Sequence, residues 1–163
     1  MKFNLEPLTP EDRDAVIDIF NYYIEYSFSA YPENIVPYES FDTFLKMTEG
    51  YPTVAAKDEN GDLLGFGMLR PYNPIPTFSQ TAEITYFIKP GFTGKGLGKS
   101  MLDYLIEKAQ EKRLSSILAS ISSLNEGSIR FHKKNGFVEC GRFQKVGKKN
   151  NQVFDIVYMQ KIL

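Results

Sequence analysis

At 163 residues the chain has the size of one domain with one core, and it can bury roughly 70% of its unfolded surface by size scaling. Its formal net charge of -1, from 19 basic and 20 acidic side chains, lacks the basic excess that a nucleic-acid backbone demands, so any polyanionic ligand must be met locally. A single cysteine, Cys140, and a single histidine, His132, exclude an internal disulfide and a cysteine-ligated zinc site, and no metal is expected.

The opening Met1 to Glu6 is not a charged region followed by an apolar stretch, and no apolar run approaches the roughly 20 residues that span a bilayer. A cytoplasmic protein without a membrane partner is expected. Thr9-Pro10-Glu11-Asp12 has the makings of a helix start, with a capping hydroxyl, a proline suited to the first turn and acids at the positive end of the dipole. Val16, Ile19, Phe20, Tyr23 and Ile24 then recur on one helical face, predicting a helix to about Tyr26. A shorter helix is predicted from Ser40, with Phe41, Phe44 and Leu45 inward.

Thr53 to Lys57 and Leu63 to Arg70 read as strands joined by a tight turn at Asn60-Gly61, where positive φ is cheap. The proline-rich stretch from Pro71 to Ser79 suits neither helix nor sheet, and its length suggests a functional wall. Ala82 to Ile88 is a predicted strand, Gly98 to Lys112 an amphipathic helix, and Ile117 to Ile121 a buried strand. Asn125 caps a further helix that ends at Asn135-Gly136. Two last strands, about Phe137 to Phe143 and Val153 to Ile162, flank Lys145 to Asn151, which reads as a solvated basic hairpin loop.

Gly94, Gly96 and Gly98 sit between a strand and a helix, where unpaired amides and the helix dipole favour an anion. Gly98-Lys99-Ser100 ends like a Walker A loop, but that motif's first glycine falls on Thr93. The dinucleotide fingerprint fails as well, because its third glycine falls on Lys99 or Met101. Alternating glycines strip side chains from the loop and let a diphosphate approach the main chain, which a tight turn alone does not require.

Thr93-Gly94-Lys95-Gly96-Leu97-Gly98 resembles the pyrophosphate loop of the GNAT superfamily of N-acetyltransferases, Gln/Arg-x-x-Gly-x-Gly/Ala, with threonine in the first position. The likeness extends over nearly the whole chain to the phosphinothricin and methionine sulfoximine acetyltransferases. It is carried by Asn21 to Glu25, by Arg70-Pro71-Tyr72 and by Ala82-Glu83 with Tyr86-Phe87-Ile88. It breaks at Phe154, where phosphinothricin enzymes usually have histidine.

This resemblance implies an α/β (α+β) fold with a mixed, mostly antiparallel sheet of about seven strands, splayed at a bulge between the fourth and fifth, and about four helices on both faces. It implies acetyl-CoA as cosubstrate, a small amino acid or analogue as acceptor, direct attack within a ternary complex, and a homodimer. Cofactor contacts fall on Tyr86, Phe87, Ile88, Gly94, Lys95, Gly96, Leu97, Gly98, Lys99 and Asn125, and acceptor contacts on Arg70 and Tyr72.

Glu83, near the start of an apolar strand, is either the general base for the amine or a solvent-facing strand-end acid. His132 is either the proton donor to the departing thiolate or a histidine placed to favour the helix dipole. Asn125 serves as helix cap and as pantetheine contact without conflict, and Arg70 is either a carboxylate clamp or a strand-end arginine. Other acceptors within the same chemistry are a peptide or protein N-terminus or another amine, and a non-catalytic acyl-CoA sensor is the competing class.

Overall fold

The computed structural model describes residues 1–163. A seven-stranded sheet runs in the order β1 (Asn4–Glu6), β2 (Thr53–Lys57), β3 (Leu63–Pro71), β4 (Thr81–Ile88), β5 (Ser116–Ser122), β7 (Gln152–Ile162), β6 (Val138–Lys149). All neighbours are antiparallel except β4 and β5. Four helices cover it: α1 (Arg13–Tyr26), α2 (Ser40–Met47), α3 (Leu97–Glu111) and α4 (Glu126–Lys134).

Strand alternation divides the core. Val54, Ala56 and Ile84 face a cluster with Leu97, Met101, Leu102 and Leu105 of α3, whereas Ala55, Phe66 and Met68 face Val16, Ile17 and Ile19 of α1 and Phe41 of α2. Gly67 is the point of closest approach: a Cβ there would meet Tyr86 at 2.9 Å and the Leu105 side chain at 3.3 Å, so α3 lies against a strand that must lack a side chain.

Thr9 is the expected cap, but of a short 3-10 turn, Pro10–Asp12, that feeds α1, where it forms a capping box with Asp12. Asp12 also pairs with Lys57 at 2.8 Å, which pins that turn to β2. The β2–β3 turn is where Asn60-Gly61 placed it, with Gly61 at φ 84° and the Asp58 carboxylate accepting from the Asn60 and Asp62 amides.

At the ends of the sheet the structure adds one strand that sequence pattern did not mark and overturns one expected loop. Asn4–Glu6 forms an edge strand on β2, too short to show alternation. Lys145–Lys149 is strand and not loop: β6 continues to Lys149, and the reversal needs only Asn150 and Asn151, both at positive φ (50° and 64°). Lys149 is 1% exposed.

The β4–β5 pairing covers only Thr81–Ser116, Ala82–Ile117 and Glu83–Leu118. Beyond Glu83, β4 stays on β3 to Ile88 while β5 stays on β7 to Ser122, so the sheet forks into two halves. The β3–β4 register runs regularly through the fork; the expected bulge is absent from that ladder, and the opening is a divergence of β5.

Candidate active site

The fork opens a cavity of about 880 Å³ whose lining runs from the glycine loop through the gap to an aromatic chamber under α1 and α2. Lys89 N–H donates to Leu64 of β3, so by the two-residue period of a strand the main-chain groups of Tyr86 and Ile88 point into the gap. One of them is already taken, because the Tyr23 hydroxyl donates to the Ile88 carbonyl at 2.6 Å. Sequence reading treated Tyr23 as a core-face residue, and periodicity carries no sign that its hydroxyl reaches across to β4.

At the mouth, Gly94 and Gly96 adopt φ of 73° and 85°, Gly96 as the left-handed N-cap of α3. No atom lies within 4 Å of a Cβ at either position, so the space over the loop is open. The first intrahelical bond is Ser100 N–H to Gly96 O at 3.1 Å, which leaves the amides of Leu97, Gly98 and Lys99 ahead of it without helical partners. No acid stands in the first turn. Free amides, open space and a helix dipole fit a pyrophosphate, so the chain's own main chain is suited to hold the acetyl-CoA cosubstrate there.

The three remaining loop side chains play other parts. Leu97 is fully buried and anchors the helix in the core, Lys99 pairs with Asp103 at 2.6 Å, and Lys95 lies over the Phe92 ring at 5.4 Å.

His132, 4% exposed, is held on both ring nitrogens. Nδ1 lies 2.7 Å from the Ser128 carbonyl, which requires a proton on Nδ1, and Nε2 lies 2.7 Å from the Tyr86 hydroxyl. Burial holds the imidazole below its ordinary value, with the Ser128 carbonyl opposing, and burial drives the Tyr86 phenol well above its own. In the neutral form, then, Tyr86 donates to His132. A proton on Nε2 would reverse that bond and turn the Tyr86 hydroxyl outward as donor.

This arrangement gives one ring a part in stability just below neutral pH. Because the folded value is depressed, the unfolded chain takes up the proton first, and stability present above the ordinary value of 6.5 is lost as pH falls through the folded one. His132→Phe should therefore lose less stability than wild type between about pH 7 and pH 5, read as urea midpoints. Equal losses would contradict the neutral assignment.

Glu83 occupies the last paired position before the fork, half-buried, with Oε2 accepting from Arg70 Nη2 at 2.9 Å across the β3–β4 register. Arg70 Nη1 is hydrogen-bonded to Thr85 Oγ1. The two residues expected to bind acceptor and proton separately thus form one pair, in which Arg70 lines the cavity and Glu83 does not.

Asn125 caps α4 as expected, Oδ1 accepting from Ser128 N–H at 3.2 Å, and its Nδ2 donates to Ser29 Oγ at 2.9 Å on the cavity wall. Tyr72 is not part of the cavity lining. It packs on Phe78 at 5.9 Å beyond the closed end of the fork, and no residue of the proline-rich loop lines this cavity. Asp155 accepts from Lys145 N–H and Arg142 Nε, both at 2.7 Å, and these contacts hold its carboxyl below the usual range.

The family model of the acetyltransferase (GNAT) family matches residues 16–137. An L-methionine sulfoximine/L-methionine sulfone acetyltransferase of Pseudomonas aeruginosa is 35% identical over 74% of this chain and 69% of its own length. A ribosomal-protein-alanine N-acetyltransferase structure from Brucella melitensis superposes with a TM-score of 0.92 at 30% identity, covering 98% of this chain and 99% of that one. The yncA structure from Salmonella typhimurium, solved with its cofactor acetyl-CoA, gives 0.92 at 25% identity over 100% and 95% of the two chains. The forked sheet, the glycine-capped helix at its mouth and these likenesses agree: the chain belongs to the GNAT acetyltransferase family and is an acetyl-CoA-dependent N-acetyltransferase.

Proposed function

We propose that the enzyme acetylates the amino group of a small amino acid or amino acid analogue with an uncharged side chain, by direct attack within the fork. The observation that carries this reading is the chamber at the inner end of the cavity, walled by Phe20, Phe44, Met47, Phe66, Met68 and Phe87. Such a wall rewards apolar or thioether-like chains and leaves a charged one unpaired. The similarity to a methionine sulfoximine/sulfone acetyltransferase supports the same class. Arg70, with two of its donors committed to Glu83 and Thr85, keeps N–H groups for an acceptor carboxylate.

When bound, acetyl-CoA supplies an activated acetyl group. The chain's residues do the rest. Main-chain groups of Tyr86 and Ile88 align the pantetheine and counter charge developing on the carbonyl oxygen. Glu83, with Oε1 free of protein partners, accepts the amine proton directly or through water. Tyr86 passes its hydroxyl proton to sulfur when His132 has taken a second proton from solvent, and His132 Nε2–H then restores the Tyr86 hydroxyl.

Released thiol measured with acetyl-CoA across amino acids, their sulfoxide-like analogues, peptides and polyamines tests the reading. Turnover is expected with uncharged amino acids; stabilisation by acetyl-CoA without turnover on any amine would make the chain a sensor.

Further readings are a homodimer and a cytoplasmic location. Tyr26, Tyr31, Ile35 and Tyr38 expose 69, 44, 56 and 40% of their surface, apolar area that a second copy would cover. Sedimentation should show twice the chain mass, and a stable, fully active monomer would contradict it. The single exposed thiol, Cys140, suits a reducing compartment, and no helix is long and apolar enough to cross a membrane. Recovery of the native protein in a secreted fraction would contradict that location.

A further inference from the structure

Lys149 is the one lysine that the fold buries completely, and no carboxylate pairs with it. Its ammonium donates instead to three main-chain carbonyls, Ile24 at 2.6 Å, Ala30 at 2.7 Å and Ser27 at 2.8 Å. An ammonium has three N–H donors, so the count is closed. Ile24 lies in the last turn of α1 and Ser27 is its C-cap, so the cation sits at the negative end of the helix dipole. Hydration could satisfy these carbonyls on an ordinary surface; here they converge on one side chain from the far end of the β6–β7 hairpin.

The segment held this way is cavity wall. Ser29, Ala30 and Tyr31 line the cavity, whereas Lys149 does not. Ser29 Oγ receives Asn125 Nδ2 at 2.9 Å, and Asn125 caps the helix that carries His132. The Tyr31 ring stacks on Phe154 of β7, with centroids 5.9 Å apart and planes at 16°.

We propose that Lys149 is a positioning residue for acetyl transfer: by gathering the carbonyls of Ile24, Ser27 and Ala30 it moulds residues 27–31 into the acceptor-side wall, and through Ser29 and Asn125 it fixes that wall against α4. This rests on the proposed transfer to a small amine. Lys149→Met keeps the length and apolar stem and removes the donors.

Steady-state kinetics with acetyl-CoA and L-methionine sulfone, paired with hydrogen exchange on the unliganded protein, test it. In Lys149→Met the KM for the sulfone should rise about tenfold or more, while the KM for acetyl-CoA changes no more than about twofold, and the amides of Ser27 and Ser29, which donate to Tyr23 O and Ser27 Oγ, should lose protection. Ser29→Ala, which leaves Lys149 in place, should raise the acceptor KM about threefold with the fold intact.

Unchanged acceptor KM in folded Lys149→Met, or equal rises in both KM values, would overturn the proposal. Should Lys149→Met not fold, an acceptor KM in Ser29→Ala within about 1.5-fold of wild type would overturn it. Should wild type turn over neither the sulfone nor another amine, the functional reading fails and exchange alone decides: undiminished protection of the Ser27 and Ser29 amides in Lys149→Met, or of the α4 N-terminus in Ser29→Ala, would overturn it.

Discussion

Glu83→Gln should lower kcat about a hundredfold or more with acetyl-CoA affinity nearly intact, since general base catalysis typically contributes 10² to 10⁴. Glu83 stands at the position where β4 and β5 part, with one carboxylate oxygen held by Arg70 at 2.9 Å and the other without a protein partner. Glutamine retains a carbonyl oxygen for Arg70, so that contact survives while the proton acceptor is lost. The deficit should shrink as pH rises towards the pKa of the free amine, because more acceptor then arrives deprotonated. His132→Phe should show no such alkaline rescue. Wild-type kcat in Glu83→Gln at neutral pH would reduce Glu83 to the partner of Arg70, and the base would have to be water, because both oxygens of Asp155 are occupied in holding β6.

Gly96→Val should raise the KM for acetyl-CoA about ten- to a hundredfold, the loss expected when one or two charge-assisted hydrogen bonds from main-chain amides are removed. At φ 85° a β-branched residue is strained, so the loop must move, and its side chain would project into the open space over the amides. The strain itself costs about 1–2 kcal/mol of stability. Gly61→Val separates the two effects: Gly61 has φ 84°, nothing within 4 Å of its Cβ and a place in the β2–β3 turn away from the cavity. It should show a similar loss of stability with acetyl-CoA kinetics unchanged. An unchanged KM in folded Gly96→Val would remove the glycine loop from the cofactor site.

Features set by local chemistry were legible in the sequence. The helical stripes of α1 and α3, the Asn60-Gly61 turn, the Asn125 cap and the glycine loop all follow from spacing within a few residues, and each lies within a residue or two of its expected place. The fork between β4 and β5 depends on pairing between segments far apart in the chain, which residue pattern does not encode; the family resemblance supplied it. Partnerships across the sheet were equally hidden. Arg70 and Glu83 looked like separate tools because their register is set by the β3–β4 hairpin, and His132 looked like an independent donor because Tyr86 is remote in sequence. Lys149 was misread for a different reason: a run of lysines ordinarily marks solvent, and only the return of β6 against the end of α1 turns one of them inward.

Direct transfer, as proposed, requires that the fork bring thioester and amine together with no protein nucleophile between them. The only cysteine, Cys140, is a free thiol exposed on β6, within donating distance of Val138 O and Gln160 Oε1 and outside the cavity lining. Initial rates measured while acetyl-CoA and the acceptor amine are varied together test this most directly. Intersecting double-reciprocal lines, with no acetylated protein in the intact mass after incubation with acetyl-CoA alone, are the expected result. Parallel lines accompanied by a stoichiometric acetyl adduct on the chain would contradict the claim.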